Sequence, residues 1–434
     1  MLRSRATRSS NRTAEPQHPL TSSRVARMVA SPLKRVHSRH SNGDTRHGNP
    51  GKGIMTSTPA QTWSARADTA QHSLDHFFRV GGPQYLANSH PHDRGNTEVF
   101  NYWWLAHVID ARTDAWDRSG DPAWRQLAIV ARDNIVERNG GQLFNDYFDD
   151  MLWFALALER VHQATGEQQY LDEAIAIWDH VIAEGWNDTL GWSLAWRKQQ
   201  LAYKNTPANG PLVILGVRLS RHDSSRDYLG YAQLAFEWLT ANLVSENGFV
   251  EDGVNRNEDG AVDTQWRFTY NQGLYIGAAV ELFTATDARH YLDRAVQTAM
   301  TAVRELSDGT VFPDEGDGGD EGLFKGVFYR YLGELLAVLA RLAEDGDDEF
   351  TEQRVELERF LRAGTDALWE NGVVGGHLRP GNDWSKEPVE WIPYSTMVSA
   401  IFAVEQRARL EAREAGAESS ATASSAAPAG AVAG

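Results

Sequence analysis

The chain has no cysteine and only six methionines in 434 residues. Without thiols there can be no disulfide, no Cys-ligated zinc and no thiol nucleophile. No run of about 18 apolar residues occurs, so no membrane span is expected. A His pair at zinc spacing, a Gly-rich phosphate loop and a G-x-S-x-G elbow are also missing, and neither metal nor cofactor is expected. Basic charge is scarce where a fold could form. Residues 1–54 hold 11 Lys and Arg against Glu15 and Asp44, which leaves 31 basic and 57 acidic side chains in the remainder. A body with a balance of −26 repels polyphosphate, which argues against a nucleic-acid partner. A neutral sugar is indifferent to that charge.

What is present suffices for a large core, since 41% of residues are hydrophobic. Arg- and Ser-rich residues 1–58 lack the 7–15-residue apolar stretch of a secretory signal. They read as a disordered basic extension, with a transit segment as the alternative. A true start at Met55 and a cytoplasmic location are expected. The Ala/Ser/Gly tail over 413–434 is low in complexity and cannot bury a core. Between these ends the apolar spacing is helical nearly throughout. Ser119-Gly120-Asp121-Pro122 ends one helix and starts the next, with Asp121 as N-cap and Pro122 in the first turn. Breaks of the same kind fall at Thr165-Gly166, His222–Ser225 and Thr286–Ala288. Second helices open alike, with "YLDEA" at Tyr170, "YLGYA" at Tyr228 and "YLDRA" at Tyr291. A two-helix repeat of this length means helices stacked in pairs. About twelve helices in six pairs are expected, including 60–80 with 394–411 and 323–343 with 349–369. Short links join helices within a pair. Long ones over 185–203, 244–266, 306–322 and 370–393 join successive pairs and emerge on one face, where function usually sits. An all-α closed toroid with a cleft on that face is expected, acting as a monomer.

The stretch "NDYFDDMLWFALALERV" places Asp149 beside Asp150 where an apolar helix begins. Aspartates there can simply satisfy orphan N–H groups and meet the positive end of the helix dipole. Yet the two side chains point about 100° apart around a helix, so both cannot face solvent. Glycoside hydrolysis uses one ionised and one protonated carboxyl, and close like charges push their pKa values apart. Asn145 and Asp146, next to Tyr147 and Phe148, mix polar and aromatic groups as sugar sites do.

The sequence resembles glycoside hydrolase family 76, the endo-α-1,6-mannanase family. The likeness rests on "YWWLAHVIDARTDAW" (102–116), "YFDDMLWFALALERVHQATGEQQYLDEA" (147–174), "YKNTPANG" (203–210), "FTYNQGLYIGAAVEL" (268–282), "LFKGVFYRYL" (323–332) and "NDWS" (382–385). It implies an (α/α)6 barrel over 59–412 and a retaining hydrolase acting on α-1,6-mannosides. It also implies Asp149 as nucleophile and Asp150 as general acid/base. Lys204, Asn205 and Asn209 are expected to serve sugar hydroxyls, with helix capping as their alternative role. Tyr270, Asn271 and Gln272 are expected at the mouth of another inner helix, with Gly273 allowing close approach. Lys325 is either a binding residue or a snorkelling lysine. Tyr102, Trp103 and Trp384 are candidates for contact with a pyranose ring, with core packing as the alternative. The acidic loops 251–263 and 314–322 read as solvated, because the first lacks the bidentate Glu of a calcium loop. Two rival functions stay open. One is a sugar isomerase or epimerase using His107 or His377, since fold alone does not fix function. The other is a sugar-binding protein without catalysis.

Overall fold

The computed structural model describes residues 57–81, 84–92, 99–316 and 319–425, with side chains to residue 417. Most of the basic extension expected over 1–58 lies outside them. Twelve helices are present among the described residues: α1 (Pro59–Phe78), α2 (Tyr102–Ser119), α3 (Pro122–Arg138), α4 (Phe148–Thr165), α5 (Gln168–Gly185), α6 (Thr206–Leu219), α7 (Tyr228–Asn242), α8 (Thr269–Thr286), α9 (Arg289–Leu306), α10 (Glu321–Glu344), α11 (Thr351–Gly372) and α12 (Tyr394–Ser425). Their ends follow local chemistry. Asp121 accepts from the Ala123 amide at 2.9 Å with Pro122 in the first turn, and Gly166 closes α4 in the left-handed conformation that lacks a Cβ penalty. The last helix, expected to end near 411, continues to Ser425; the strong helix formers of "EAREAGAE" carry it to residue 418.

The even-numbered helices form an inner ring. Each packs against the next, from α2 through α4, α6, α8 and α10 to α12, and α12 returns to α2. The toroid is therefore closed. Outer helices α3, α5, α7, α9 and α11 each pack on the inner helix before them, and α1 packs on α12. An inner helix has neighbours on every side, which explains why all residues of α6 are buried. An outer helix needs only a stripe: in α3 it is Trp124, Ala128, Ala131, Asn134 and Ile135. Glycine lets the inner backbones approach closely. A Cβ on Gly273 of α8 would lie 2.6 Å from the Phe328 Cα of α10, and one on Gly326 would lie 2.5 Å from the Ser399 Cα of α12. Gly273→Ala gains about 1 kcal/mol of helix propensity. Overpacking against unyielding backbone costs about 1–3 kcal/mol or more, so a net fall in thermal midpoint is expected. A differential-scanning melt at or above the parent's midpoint would show that α8 and α10 can part freely.

Small antiparallel sheets replace what the sequence reads as loops. Strands β1 (Ser89–His90) and β8 (Ile392–Pro393) pair, as do β6 (Val373–Val374) and β7 (His377–Leu378). A four-stranded sheet runs β2 (Trp186–Asn187), β3 (Ser193–Arg197), β4 (Gln200–Asn205) and β5 (Gly253–Val254). It stands beside the N-terminal ends of α4 and α6.

Candidate active site

Inner helices all begin on the same side, and there the N-terminal ends of five of them surround a cleft of about 970 Å³. It is lined from α2 by Tyr102 and Trp103, from α4 by Asp149, Asp150 and Trp153, from the α6 entry by Asn205 and Pro207, from α8 by Tyr270, and from α10 by Glu321 and Phe324. Five helix N-termini thus direct the positive ends of their dipoles at the cleft, a field that favours carboxylates there. The sheet adds Trp196, and the following loops add Asp252, Arg256, Trp266 and Asp320.

Asp149 and Asp150 lie in the first turn of α4 after Tyr147, and neither acts as its N-cap. Asp149 Oδ2 accepts from the Trp196 indole N–H at 3.0 Å, and its Oδ1 accepts from the Asp150 amide at 3.0 Å. Asp150 Oδ2 accepts from the Asn145 amide nitrogen at 3.0 Å. Asn145 is itself fixed, because its Oδ1 accepts from the Tyr147 amide at 2.8 Å. Burial raises both carboxyls above the usual range. For Asp149 the two N–H donors resist that rise, and the Asp252 charge adds to it, leaving it at about 7. Asp150 is also held well above the ordinary carboxylate range, driven by burial and then by the Asp149 charge, with Asn145 opposing and Asp320 assisting. The pair thus shares one proton near neutrality. The two N–H donors on Asp149, against one on Asp150, favour the charge on Asp149.

Around this pair the cleft is braced by charge and aromatic surface. Asp252 Oδ1 accepts from Tyr270 Oη at 2.9 Å and from Asn271 Nδ2 at 3.1 Å, while its Oδ2 accepts from Arg256 at 2.8 Å and Tyr203 Oη at 3.1 Å. Arg256 also pairs with Asp263 at 2.9 Å and lies 3.9 Å over the Trp266 ring. Asp320 Oδ1 accepts the indole N–H of both Trp103, at 3.0 Å, and Trp104, at 2.7 Å. Tyr270 stacks on Phe324 with centroids 3.9 Å apart and planes 6° from parallel. The walls therefore offer flat apolar faces between hydrogen-bonding groups, as a pyranose requires.

Eight residues singled out in the sequence line the cleft: Tyr102, Trp103, Asn145, Asp146, Asp149, Asp150, Asn205 and Tyr270. Six lie behind it. Lys204 is buried beneath the sheet, donating to Ser193 O at 2.6 Å and Asn187 O at 3.2 Å, and burial pulls its pKa down to about 7. Asn209 is spent on both backbone groups of Leu194 and on Asn205 O. Gln272 does the same for Val250. Asn271 reaches the cleft only through Asp252. Lys325 ties Pro313 O, at 2.7 Å, to Asn382 O. Trp384 is a core residue, 2% exposed, packed on Tyr329 with centroids 5.0 Å apart. The two loops read as solvated supply Asp252, Arg256 and Asp320, so that expectation is corrected. The Asp252–Arg256 pair, four residues apart, is the one local signal among them; Asp320 meets Trp103 and Trp104 from more than two hundred positions away, and Asp252 meets Tyr203 on β4 and Tyr270 on α8.

His107 is 2% exposed, bonded through Nδ1 to Trp103 O at 2.9 Å, and lowered to about 4 by burial, so it stays neutral behind Trp153. His377 stacks on His76, 3.7 Å between centroids, away from the cleft. Neither is placed to be the acid/base of an isomerase. Among the described residues no cluster of His, Asp and Glu is arranged to hold a metal ion, and no helix is long and apolar enough to cross a membrane.

A helical toroid with two unlike carboxyls in an aromatic cleft defines a glycoside-hydrolase type of site. Residues 56–406 match the model of glycosyl hydrolase family 76, and the chain belongs to that family. It is similar to the Lin0763 protein of Listeria innocua, with 42% identity, a TM-score of 0.76, and coverage of 81% of this chain and 98% of that one. It is also similar to the α-1,6-mannanase of Salegentibacter sp. HEL1_6, with 32% identity, a TM-score of 0.73, and coverage of 80% and 99%. That enzyme is known as an inactive variant, with two consecutive aspartates changed to asparagine, in complex with α-1,6-mannotriose. The mannan endo-1,6-α-mannosidase DCW1 of Saccharomyces cerevisiae is 26% identical over 319 residues, spanning 65% of this chain and 70% of that protein.

Proposed function

We propose that this enzyme hydrolyses α-1,6-mannosidic linkages with retention of configuration, with Asp149 as nucleophile and Asp150 as general acid/base. The observation that carries the assignment is the unequal solvation of the pair. Asp149 accepts from an indole and a backbone N–H, Asp150 from one side-chain amide. The better-solvated carboxylate ionises first and can attack the anomeric carbon, while its neighbour keeps a proton for the leaving oxygen. Adjacency supports retention. Consecutive Cα atoms are about 3.8 Å apart, which favours the carboxyl separation of about 5–5.5 Å in retaining enzymes over the about 6.5–9.5 Å of inverting ones. Water then releases the sugar from Asp149, with Asp150, now ionised, taking its proton. The inactive double variant of the Salegentibacter mannanase, altered at two consecutive aspartates, supports placing the chemistry on this pair. The relatives' names support mannan as the substrate class.

A linkage screen tests the substrate: α-1,6-mannobiose and mannotriose should be cleaved and α-1,2- and α-1,3-mannobiose left intact. Equal turnover of all linkages, or none of α-1,6, contradicts it. The indole of Trp196 gives a second check. In Trp196→Phe the Asp149 carboxylate loses a donor generally worth about 1.5–3 kcal/mol to a charged group. Its pKa rises, so the acidic limb of kcat/KM should move up by about 1–2 pH units, with the alkaline limb nearly fixed. An unmoved acidic limb means Asp149 is not the group that must ionise.

A further inference from the structure

The sheet that carries Trp196 has an exposed aromatic surface at its other end. Trp192 is 55% exposed, flanked by Leu190 at 44% and Leu201 at 45%. Trp186 lies within 18° of parallel to it, with ring centroids 6.5 Å apart, and Tyr231 of α7 packs edge-on against Trp186 at 5.0 Å. None of these residues lines the cleft. Apolar area left in water forgoes about 25 cal/mol per Å², so an indole displayed this way stabilises the fold little.

The turn that displays it is nonetheless rigidly built. Asn187 accepts from the Thr189 amide at 3.1 Å and donates to Gly185 O at 3.0 Å and Leu201 O at 3.1 Å. Trp238 Nε1 donates to Leu190 O at 2.7 Å, and the Gly191 amide donates to Asp188 O at 3.0 Å. Leu190 is held at φ 59°, a left-handed conformation that costs a branched residue roughly 1–2 kcal/mol. Strain of this kind persists where the surrounding structure over-determines it and often marks function. The same turn presents the exposed Asp188, whose carboxylate can accept hydroxyl hydrogens.

We propose that Trp186 and Trp192 form a second saccharide platform, outside the cleft, for a further stretch of the α-1,6-linked mannan chain. This rests on the mannan reading of the cleft. Aromatic faces take the C–H face of a pyranose, and a neutral polymer is not repelled by an acidic protein. Strand β3 joins the two places. Trp192 sits immediately before the strand, so at about 3.3 Å per residue it lies on the order of 13 Å from Trp196, the indole that touches Asp149. A polymer engaged in the cleft can continue onto the platform, and the second contact then forms at high effective concentration. A trisaccharide occupying the cleft has no residues left to reach it.

The test uses the full chain and its Trp192→Ala and Trp192→Phe variants. Each is run in native gels containing soluble, unbranched α-1,6-mannan and assayed on that polymer and on α-1,6-mannotriose. Trp192→Ala should lose gel retardation and raise KM on the polymer about 3- to 10-fold, the range for one aromatic stacking contact. Its kcat/KM on mannotriose should match the parent's, and Trp192→Phe should recover most of the difference. Equal retardation and KM in the Ala variant overturn the platform, as does an equal loss on both substrates, which marks general damage. Concentration-dependent dimerisation that disappears with Trp192 also overturns it, by making the patch a protein interface. A parent that cleaves neither substrate defeats the cleft reading alone, since gel retardation dependent on Trp192 is read without turnover.

Discussion

Asp149→Asn and Asp150→Asn are each expected to lower kcat/KM on α-1,6-mannotriose by about 10³-fold or more while raising thermal stability. A positioned acid or base generally contributes about 10²–10⁴, and loss of the nucleophile removes the covalent route altogether. The two variants should differ on an aryl α-mannoside with a good leaving group. That leaving group needs no proton, so Asp150→Asn should keep much of its first-step rate and Asp149→Asn should not. The stability gain has a defined sign. Both carboxyls are raised in the folded enzyme, so ionising them costs stability as pH climbs from the unfolded value near 4 through the folded one. Asparagine carries no such cost. After allowance for water in the cleft, the variants should be more stable at pH 8 by on the order of 1–3 kcal/mol, one pKa unit being about 1.4 kcal/mol. The gap should close near pH 4. Variants that keep full turnover, or that melt lower than the parent at pH 8, would leave the pair as ordinary helix-end residues.

The second large effect lies at the closed end of the ring. Asp114 of α2, fully buried, accepts from Arg160 of α4 at 2.8 Å, from Arg330 of α10 at 2.5 Å and from Arg409 of α12 at 2.7 Å. Four inner helices meet in one carboxylate. Arg118, Arg160 and Arg218 sit near the C-terminal ends of α2, α4 and α6, where cations complement the dipole. Burial opposes the Asp114 charge, but the three guanidiniums outweigh it and hold its pKa below the ordinary range. Removing one member of a buried ion network strands the others, typically at a cost of about 3–5 kcal/mol. Asp114→Ala should therefore melt far below the parent at pH 7. Because the folded pKa is depressed, the Asp114 contribution is complete above the unfolded value of about 3.9 and is lost as pH falls below it. The difference in denaturant midpoint between parent and variant should accordingly shrink from pH 6 towards pH 3. A difference under about 1 kcal/mol at pH 7 would mean the arginines find solvent instead.

These two sites differ in how far the sequence foreshadows them. Helix pairs are legible because their signals are local: Asp121-Pro122 starts a helix, Gly166 ends one, and the breaks at 222–225 and 286–288 fall where α6/α7 and α8/α9 separate. Gly273 is legible as a close approach for the same reason. The carboxylate pair stands out because two aspartates are adjacent in an apolar helix. What the sequence hides is pairing across the fold. Trp196 reads as one aromatic in a loop until β3 sets it against Asp149, and Asp320 reads as one acid among several until Trp103 and Trp104 are found on it. Lys204 and Lys325 mislead in the opposite direction. Lys204 beside Asn205 looks like a sugar ligand and Lys325 is raised to one by the family likeness, whereas each satisfies backbone carbonyls of the segments that frame the cleft. Carbonyls carry no sequence signature, so this role is visible only in three dimensions.

The central claim is that Asp149 attacks and Asp150 protonates within one cleft. Proton NMR during hydrolysis of α-1,6-mannotriose tests it most directly, by recording the anomer released before mutarotation mixes the two forms. The geometry predicts α-mannose configuration at the new reducing end, from two displacements at the same carbon. β-Configuration appearing first would mean a single displacement by water, and Asp149 would then not be the nucleophile.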